Sequence, residues 1–555
     1  MSAAGGRRGR TAPPCPPPAE VDALVVGGGV AGLTAAWELT RAGLRPLLVE
    51  ARGYTGGLIA GGEIGGVEMD LGAESVVLRG GAVTTMLDAL GLESTAHRGR
   101  PRLFLPPLAG SGPEAATGAH DVDCALDGPG EPPSGGWGLH PFPRDAILGI
   151  PADPLADDAR AILGEAGARC AARDRGLDGS VGTSPADPRD LASLVRARMG
   201  RAVLDRLVRP IVAGIHASDP AVLDSDVVVP GLRDDVARLG SLQAAIRARL
   251  EERRARPAGR RSGEVCVVGG MHRLTAALRA AIESAGGTVL TRWGAQRMRL
   301  EGGAGRAGSW RVALAPTGPG ATPSDEPSAV GTAHQVRTGR VVLACSARAA
   351  LRLLAGAPGI DPGALDITVP SGAPIARLTI VARAPGLAGA PVGSGLLVAP
   401  ASSADPCPVA AKALSHLDAK WSWIAEGLRE RHGEGAAALR LSYGRPGEPR
   451  PEPALAGALA DITALTSVRI KLDDVLDHRL IRWDGTLPPA RPDYRRRTAR
   501  LEEAVASIPG LGLTGAWVAG TGIAAVVAHA RERAAGMVGR TGARGTAPGG
   551  TEEDS

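Results

Sequence analysis

The sequence is poor in aromatic residues, in lysine and in paired cysteines, and each shortage excludes a class of function. Aromatic side chains make up 2% of the chain, too few for the stacking surface on which single-stranded nucleic acid is held. Basic and acidic side chains number 63 and 58, a net charge of +5 at pH 7. That near balance is not the concentrated cationic face of a nucleic-acid binder, and no nucleic-acid partner is expected. Lysine occurs only at Lys412, Lys420 and Lys471. The remaining cations are arginines in a chain also rich in Gly, Ala and Pro, so arginine abundance alone carries no argument.

Cys15, Cys124, Cys170, Cys266, Cys345 and Cys407 are scattered without a CxxC pair. A chain of this length has core enough to do without disulfide staples, so reduced thiols and a cytoplasmic location are expected. No cluster has the spacing of zinc ligands, and no metal is expected. Arg7, Arg8 and Arg10 precede a proline-rich run rather than an apolar one, so residues 1–20 read as a disordered leader, not a secretory signal. The uncharged stretch Ala504 to Ala528 has the length of a membrane span. Pro509 and a series of glycines interrupt it, which predicts a strand, a Gly turn and a helix instead.

With 555 residues the chain has room for several domain-sized units. The fold class expected is α/β: a discontinuous Rossmann-like domain with a mixed α/β substrate domain and a helical region. Residues 20–82, 262–350 and 505–540 are assigned to the first, 206–261 and 351–504 to the second, and 100–205 to the third. Residues 108–136 read as a Gly/Pro-rich insertion, 301–336 as a disordered patch and 541–555 as a disordered tail. No internal repeat is seen.

The first chemical signal is Gly27-x-Gly29-x-x-Gly32, between the apolar run Val21–Val26 and a helical pattern carrying Val30, Leu33 and Trp37. Leu44–Val49 reads as the next strand and Glu50 ends it. The first glycine permits a tight turn, the second lets backbone approach a pyrophosphate, and the third allows helix and strand to touch. The helix N-terminus supplies N–H groups and a positive dipole for the phosphates, which adds Gly28, Val30 and Ala31 to the expected cofactor-binding residues. Glu50 is placed to accept from a ribose hydroxyl.

FAD is favoured over NAD by the residues beyond this unit. Glu50-Ala51-Arg52 leads to Gly56-Gly57-Leu58, then to Gly72-Ala73-Glu74-Ser75. A second Gly-rich signature, Gly520-Thr521-Gly522-Ile523, lies near the C-terminus before another apolar helix. A chain that returns at its end to complete the site suits a long cofactor.

On these residues the chain resembles the flavin-containing amine oxidase superfamily. Within it, the chain is similar to the oxygen-dependent protoporphyrinogen/coproporphyrinogen III oxidases of haem synthesis, of the actinobacterial type. The narrower resemblance adds Pro141-Phe142-Pro143-Arg144, Leu207 to Pro220, Gly269-Gly270-Met271, Lys420-Trp421, Leu441 to Arg445 and Arg482-Trp483, in the family's order from residue 21 to about 538. Relatives carry Arg or Lys where Leu58 stands, and Pro-Asp-Cys where Ala524-Ala525-Val526 stands.

The resemblance implies FAD-dependent oxidation of coproporphyrinogen III to coproporphyrin III with O2 as acceptor and H2O2 as co-product. It adds Trp421 to the cofactor-binding set. No catalytic side chain is assigned, because pyrrole protons can leave to solvent. The substrate's propionates call for cations, and Arg79, Arg144 and Arg482 beside family-like segments are the candidates. Pathway logic implies hand-over of the product to a ferrochelatase, and the helical region is a candidate for peripheral membrane contact. Protoporphyrinogen IX oxidation is the alternative within the family. An amine oxidase or desaturase, and a non-catalytic flavoprotein motivated by Leu58, are the alternatives outside it.

Overall fold

The computed structural model describes residues 15–108, 136–255, 263–302, 308–319, 326–361, 363, 365–370, 372–401, 406–484 and 491–539. The expected tail at 541–555, most of the leader and most of the 108–136 insertion lie outside the described residues.

Ala23–Val26 has no polar side chain, as suits a strand buried on both faces of a parallel sheet. It lies at the centre of five parallel strands, in the order Thr288–Thr291, Pro46–Glu50, Ala23–Val26, Val341–Leu343, Leu511–Leu513. Three separate stretches of chain therefore build one sheet. Alternation along the central strand decides what covers each face. Ala23 and Val25 join Leu33, Leu39, Leu274, Leu278 and Val527 from the helices Val30–Arg41, His272–Ser284 and Ile523–Gly539. Leu24 and Val26 join Trp310, Val312 and Leu353 in the core on the opposite face.

That second core holds the strands Trp293–Glu301, Ser309–Gly318 and His334–Thr338. The 301–336 patch is therefore not disordered throughout. Trp310, Val312 and Leu314 alternate inward along its ten-residue strand, and their burial outweighs the surrounding Gly and Pro. A second correction concerns the thiols. Cys15, Cys266, Cys345 and Cys407 are free, whereas Cys170 is disulfide-bonded.

A seven-stranded sheet has the order Val475–Asp484, Pro374–Arg383, Ala436–Tyr443, Ala413–His416, Gly395–Val398, Arg102–Leu105, Gly138–Pro141. The helix Leu455–Thr466 covers one face through Ala458, Ile462 and Leu465 against Ala376, Leu378, Leu439 and Leu441. By register, the opposite face carries Arg377, Thr379, Ser415, Arg440 and Ser442. At its near end that face also carries Val381 and Ala438, which share a core with Val67 and Ile424 beside the parallel sheet. That face thus meets the hairpin Gly61–Ile64/Val67–Asp70 and the residues up to Glu74 across a polar seam.

The helices between Asp157 and Ala255 form a third core, in which Leu194, Leu207, Leu232 and Ile246 are fully buried. Arg198 anchors it. Its guanidinium pairs with buried Asp174 and donates to the carbonyls of Asp178, Val181 and Gly240. Among the described residues no helix is long and apolar enough to cross a membrane. The Ala504–Ala528 stretch holds the strand Leu511–Leu513, a short helical turn Ala516–Ala519 and the start of Ile523–Gly539.

Candidate active site

The strand Ala23–Val26 ends in a turn whose three glycines have different duties. Gly27 has φ +110°, and a Cβ there would lie 2.5 Å from the Ala344 carbonyl oxygen. A Cβ on Gly32 would lie 1.8 Å from the Gly27 carbonyl oxygen, so helix and turn can touch only without a side chain. Gly29 has ordinary extended backbone, and a Cβ there would meet nothing within 4 Å. The chain needs glycine at Gly27 and Gly32 to fold. At Gly29 it leaves open space.

The same openness recurs at Gly520 and Gly522, where an added Cβ would also meet nothing within 4 Å. Ala31 packs with Val526 and Ala530, and Val30 with Ala516 and Ala519 around them. The N-terminal signature and the C-terminal one are thereby brought side by side. Gly56 closes the turn by donating its N–H to the Gly28 carbonyl at 2.8 Å, and a Cβ on Gly57 would meet only the Gly29 Cα.

Glu50 ends its strand with both carboxylate oxygens engaged, accepting from the Gly28 and Arg52 N–H groups at 2.7 Å each. Burial raises its pKa and those two donors oppose the rise. Each oxygen keeps a lone pair for a further donor. Thr317 donates to the Ala51 carbonyl at 2.5 Å and Arg292 donates its backbone N–H to the Arg52 carbonyl at 2.9 Å, which pins the segment.

From here the chain builds toward the polar seam. The Leu58 carbonyl accepts the Ala73 N–H at 2.9 Å, and a Cβ on Gly72 would lie 1.9 Å from it. Arg377 donates to the Gly72 carbonyl and Arg440 to the Asp70 carbonyl, both from the seven-stranded sheet. Glu74 accepts from Ser415 at 3.0 Å and lies 3.6 Å from the Lys420 ammonium and 3.9 Å from Arg440. Burial alone would push the Glu74 carboxyl up, but Lys420, Arg440, Arg377 and Ser415 hold it down at about 2. Ser75 donates to Glu264 at 2.6 Å, and Lys420 bridges that carboxylate too. Trp421 lies buried beneath, stacked on Trp423 at 5.1 Å with the Lys420 ammonium over its ring.

The structure therefore links these segments pairwise: Gly28 to Glu50 and Gly56, Leu58 to Ala73, Val30 to the Ala516–Ala519 turn that precedes Gly520, and Glu74 to Lys420 beside Trp421. The three arginines chosen for propionates have different surroundings. Arg79 is exposed and acts on His216, whose pKa burial and that guanidinium lower to about 4. Arg144 is exposed, and its backbone N–H is held by Asp158. Arg482 is paired with Glu452. Sequence reasoning missed Arg377, Arg440 and Lys412, which lie on or beside central strands of the seven-stranded sheet. The rarity of lysine was the one signal for the last.

The family model described as flavin containing amine oxidoreductase matches residues 30–353. The chain belongs to that family. It is a flavin-dependent oxidoreductase, and its cofactor is FAD. Among curated proteins, the coproporphyrinogen III oxidase of Mycobacterium tuberculosis (strain H37Rv) is 29% identical over 527 residues, 91% of this chain and 95% of that protein. The coproporphyrinogen III oxidase of Propionibacterium freudenreichii is 27% identical over 240 residues, 42% of this chain and 38% of that protein. Among solved structures, a candidate protoporphyrinogen oxidase from Exiguobacterium sp. 255-15 superposes with TM-score 0.66 at 20% identity, covering 94% of this chain and 99% of that one. Cyclohexylamine oxidase from Brevibacterium oxydans gives TM-score 0.54 at 15% identity over 94% and 99%. Both share the α/β fold with this chain.

The residues present fit the cofactor. Three glycines face open space where a side chain would find no neighbour, and a partly satisfied carboxylate stands at the end of the adjoining strand. Leu58 uses its carbonyl to hold Ala73, so backbone keeps this turn.

Proposed function

We propose that this enzyme oxidises coproporphyrinogen III to coproporphyrin III with O2 as electron acceptor, releasing H2O2, within haem synthesis. The likeness to a coproporphyrinogen III oxidase along 91% of the chain carries the reading. The cationic seam beside the groove supports it, because a tetra-anionic substrate needs such partners.

Gly27, Gly28, Gly29, Val30, Ala31 and Gly32 would hold the FAD pyrophosphate with Gly520, Thr521, Gly522 and Ile523, and Glu50, Ala51 and Arg52 its ribose. Gly57, Leu58, Gly72, Ala73, Glu74, Ser75 and Trp421 would shape the rest of the site. When bound, FAD supplies the two-electron oxidising chemistry. The chain's own part is to orient a bulky macrocycle and keep water out. The buried seam of Arg377, Arg440 and Glu74 fixes the Asp70–Ser75 segment and so the floor of that space. Proton release needs no dedicated base. The oxidation balances with three O2 consumed and three H2O2 formed per porphyrin.

The test is peroxide yield. Enzyme mixed with coproporphyrinogen III under air should give porphyrin fluorescence and close to three H2O2 per porphyrin, and none of either without O2. Porphyrin formed without peroxide would assign the electrons to another acceptor. The groove would serve protoporphyrinogen IX if that substrate were turned over faster.

A further inference from the structure

The ring of His272 occupies a slot that two glycines leave open. A Cβ on Gly61 would lie 2.4 Å from the ring's Cγ, and one on Gly270, which has φ +117°, would lie 2.5 Å from its Cε1. His272 opens the helix His272–Ser284, and Gly61 pairs with Asp70 across the hairpin Gly61–Ile64/Val67–Asp70. In that slot Nδ1 lies 2.9 Å from an Asp70 carboxylate oxygen, and Nε2 lies 3.2 Å from one of Glu68. The ring and Asp70 are buried, whereas Glu68 is exposed.

Asp70 is the hub of this contact. Its carboxylate also accepts the Met271 and His272 backbone N–H groups at 2.8 and 2.9 Å, and its carbonyl accepts from Arg440. A buried carboxylate needs pairing as well as hydrogen bonds, and an imidazolium supplies both. Two residues on, the Gly72 carbonyl accepts from Arg377, and Ala73 donates to the Leu58 carbonyl at 2.9 Å. Where Asp70 stands therefore sets where Leu71–Ser75 begins. Burial alone would lower the His272 pKa, but the Asp70 hydrogen bond and the charges of Asp70 and Glu68 raise it above the ordinary 6.5. Four other titratable or charged groups surround the ring. Cys266 is kept a thiol by burial and by Asp70, 4.0 Å away. Glu63 stands opposite Glu68 in the hairpin, Arg273 turns to the Val268 carbonyl at 3.4 Å, and Arg479 lies beside Gly62.

We propose that His272, as an imidazolium, is a positioning residue that locks the Asp70–Ser75 segment against the cofactor, so that loss of its proton loosens the flavin. The inference rests on the proposed placing of Gly72–Ser75 at the flavin, and not on the identity of the substrate. His272 acts through Asp70 and touches no reacting atom. The stability it contributes is full below 6.5 and is lost as pH rises through the raised folded value. By linkage, FAD that prefers the charged ring must itself raise the pH at which the ring titrates.

The experiment titrates FAD into the full-length apoprotein by flavin fluorescence, in steps from about pH 6 to about pH 9. NMR follows the His272 ring in the apoprotein and in the flavin-loaded protein. Wild-type affinity should weaken about tenfold across that range, and the ring's midpoint should lie about one pH unit higher in the loaded form. His272→Gln, which keeps a donor for Asp70 but carries no charge, should bind FAD with a flat pH profile. Glu68→Gln, an exposed change that keeps the ring, should move the transition to lower pH, and it serves alone if His272→Gln does not fold. A ring with its midpoint at or below 6.5, or one pH profile shared by wild type and variants, would overturn the proposal while Gly72–Ser75 stays at the flavin. A ring that titrates above 6.5 in protein whose FAD affinity does not change with pH would overturn both.

Discussion

The hydroxyl of Ser415 donates a 3.0 Å hydrogen bond to the carboxylate of Glu74. Ser415 belongs to the seven-stranded sheet and Glu74 to the segment beyond the Gly56-Gly57-Leu58 turn. That one contact, with Arg377, Arg440 and Lys420 around it, joins the seven-stranded sheet to the segment that follows the glycine turn.

Glu74 makes the join sensitive to acid. Its pKa is near 2 in the folded state against an ordinary 4.5. A depressed carboxyl contributes stability that is present above 4.5 and is lost as pH falls toward 2. Glu74→Gln should destabilise the protein by about 3 kcal/mol at neutral pH and flatten the loss of stability between those limits. Denaturant unfolding at several pH values checks this.

The glycines separate folding from binding. Gly29→Ala should leave the apoprotein's melting temperature nearly unchanged, because a Cβ there meets nothing within 4 Å, yet weaken FAD binding about tenfold or more. Gly32→Ala should destabilise the apoprotein itself, because its Cβ would fall 1.8 Å from the Gly27 oxygen. Melting curves with and without FAD, and flavin fluorescence titration, distinguish the two.

His216 reports on Arg79. Its imidazole should titrate near 4, held neutral by burial and by that guanidinium. Arg79→Ala should move the titration upward. In the wild type the unfolded chain takes up a proton below about 6.5 that the folded chain refuses until about 4, so the stability cost of His216 grows as pH falls from 6.5 to 4 and is full below that. NMR titration of the histidine ring measures the shift.

Leu58 gives a test of how the cofactor turn is held. Since its carbonyl secures Ala73, purified wild type should carry FAD with an uncharged side chain at this position. Leu58→Arg should bind FAD at least as tightly. Protein that emerges colourless and takes up no added FAD would favour a fold retained without turnover.

Much of the glycine turn's geometry was legible because its grammar is local. The turn Gly27–Gly32, the helix after it and Glu50 lie within a single strand–helix–strand unit, and each residue type is dictated by a short-range constraint. The strands Thr288–Thr291 and Gly395–Val398 stand where apolar alternation put them. The polar seam was not legible, because Glu74, Arg377 and Lys420 meet only after three distant stretches of chain pack together. Alternation tells which residues share a face, but not what the face will meet. The strand Ser309–Gly318 was hidden by the Gly and Pro around it, which mask the alternation of Trp310, Val312 and Leu314.

The measurement that tests the account most directly is the initial rate of porphyrin fluorescence on coproporphyrinogen III and on protoporphyrinogen IX. Both are prepared without oxygen and started by admitting air. The account predicts faster turnover of the four-propionate substrate. Faster turnover of protoporphyrinogen IX, or no turnover of either by flavin-loaded enzyme, would contradict it.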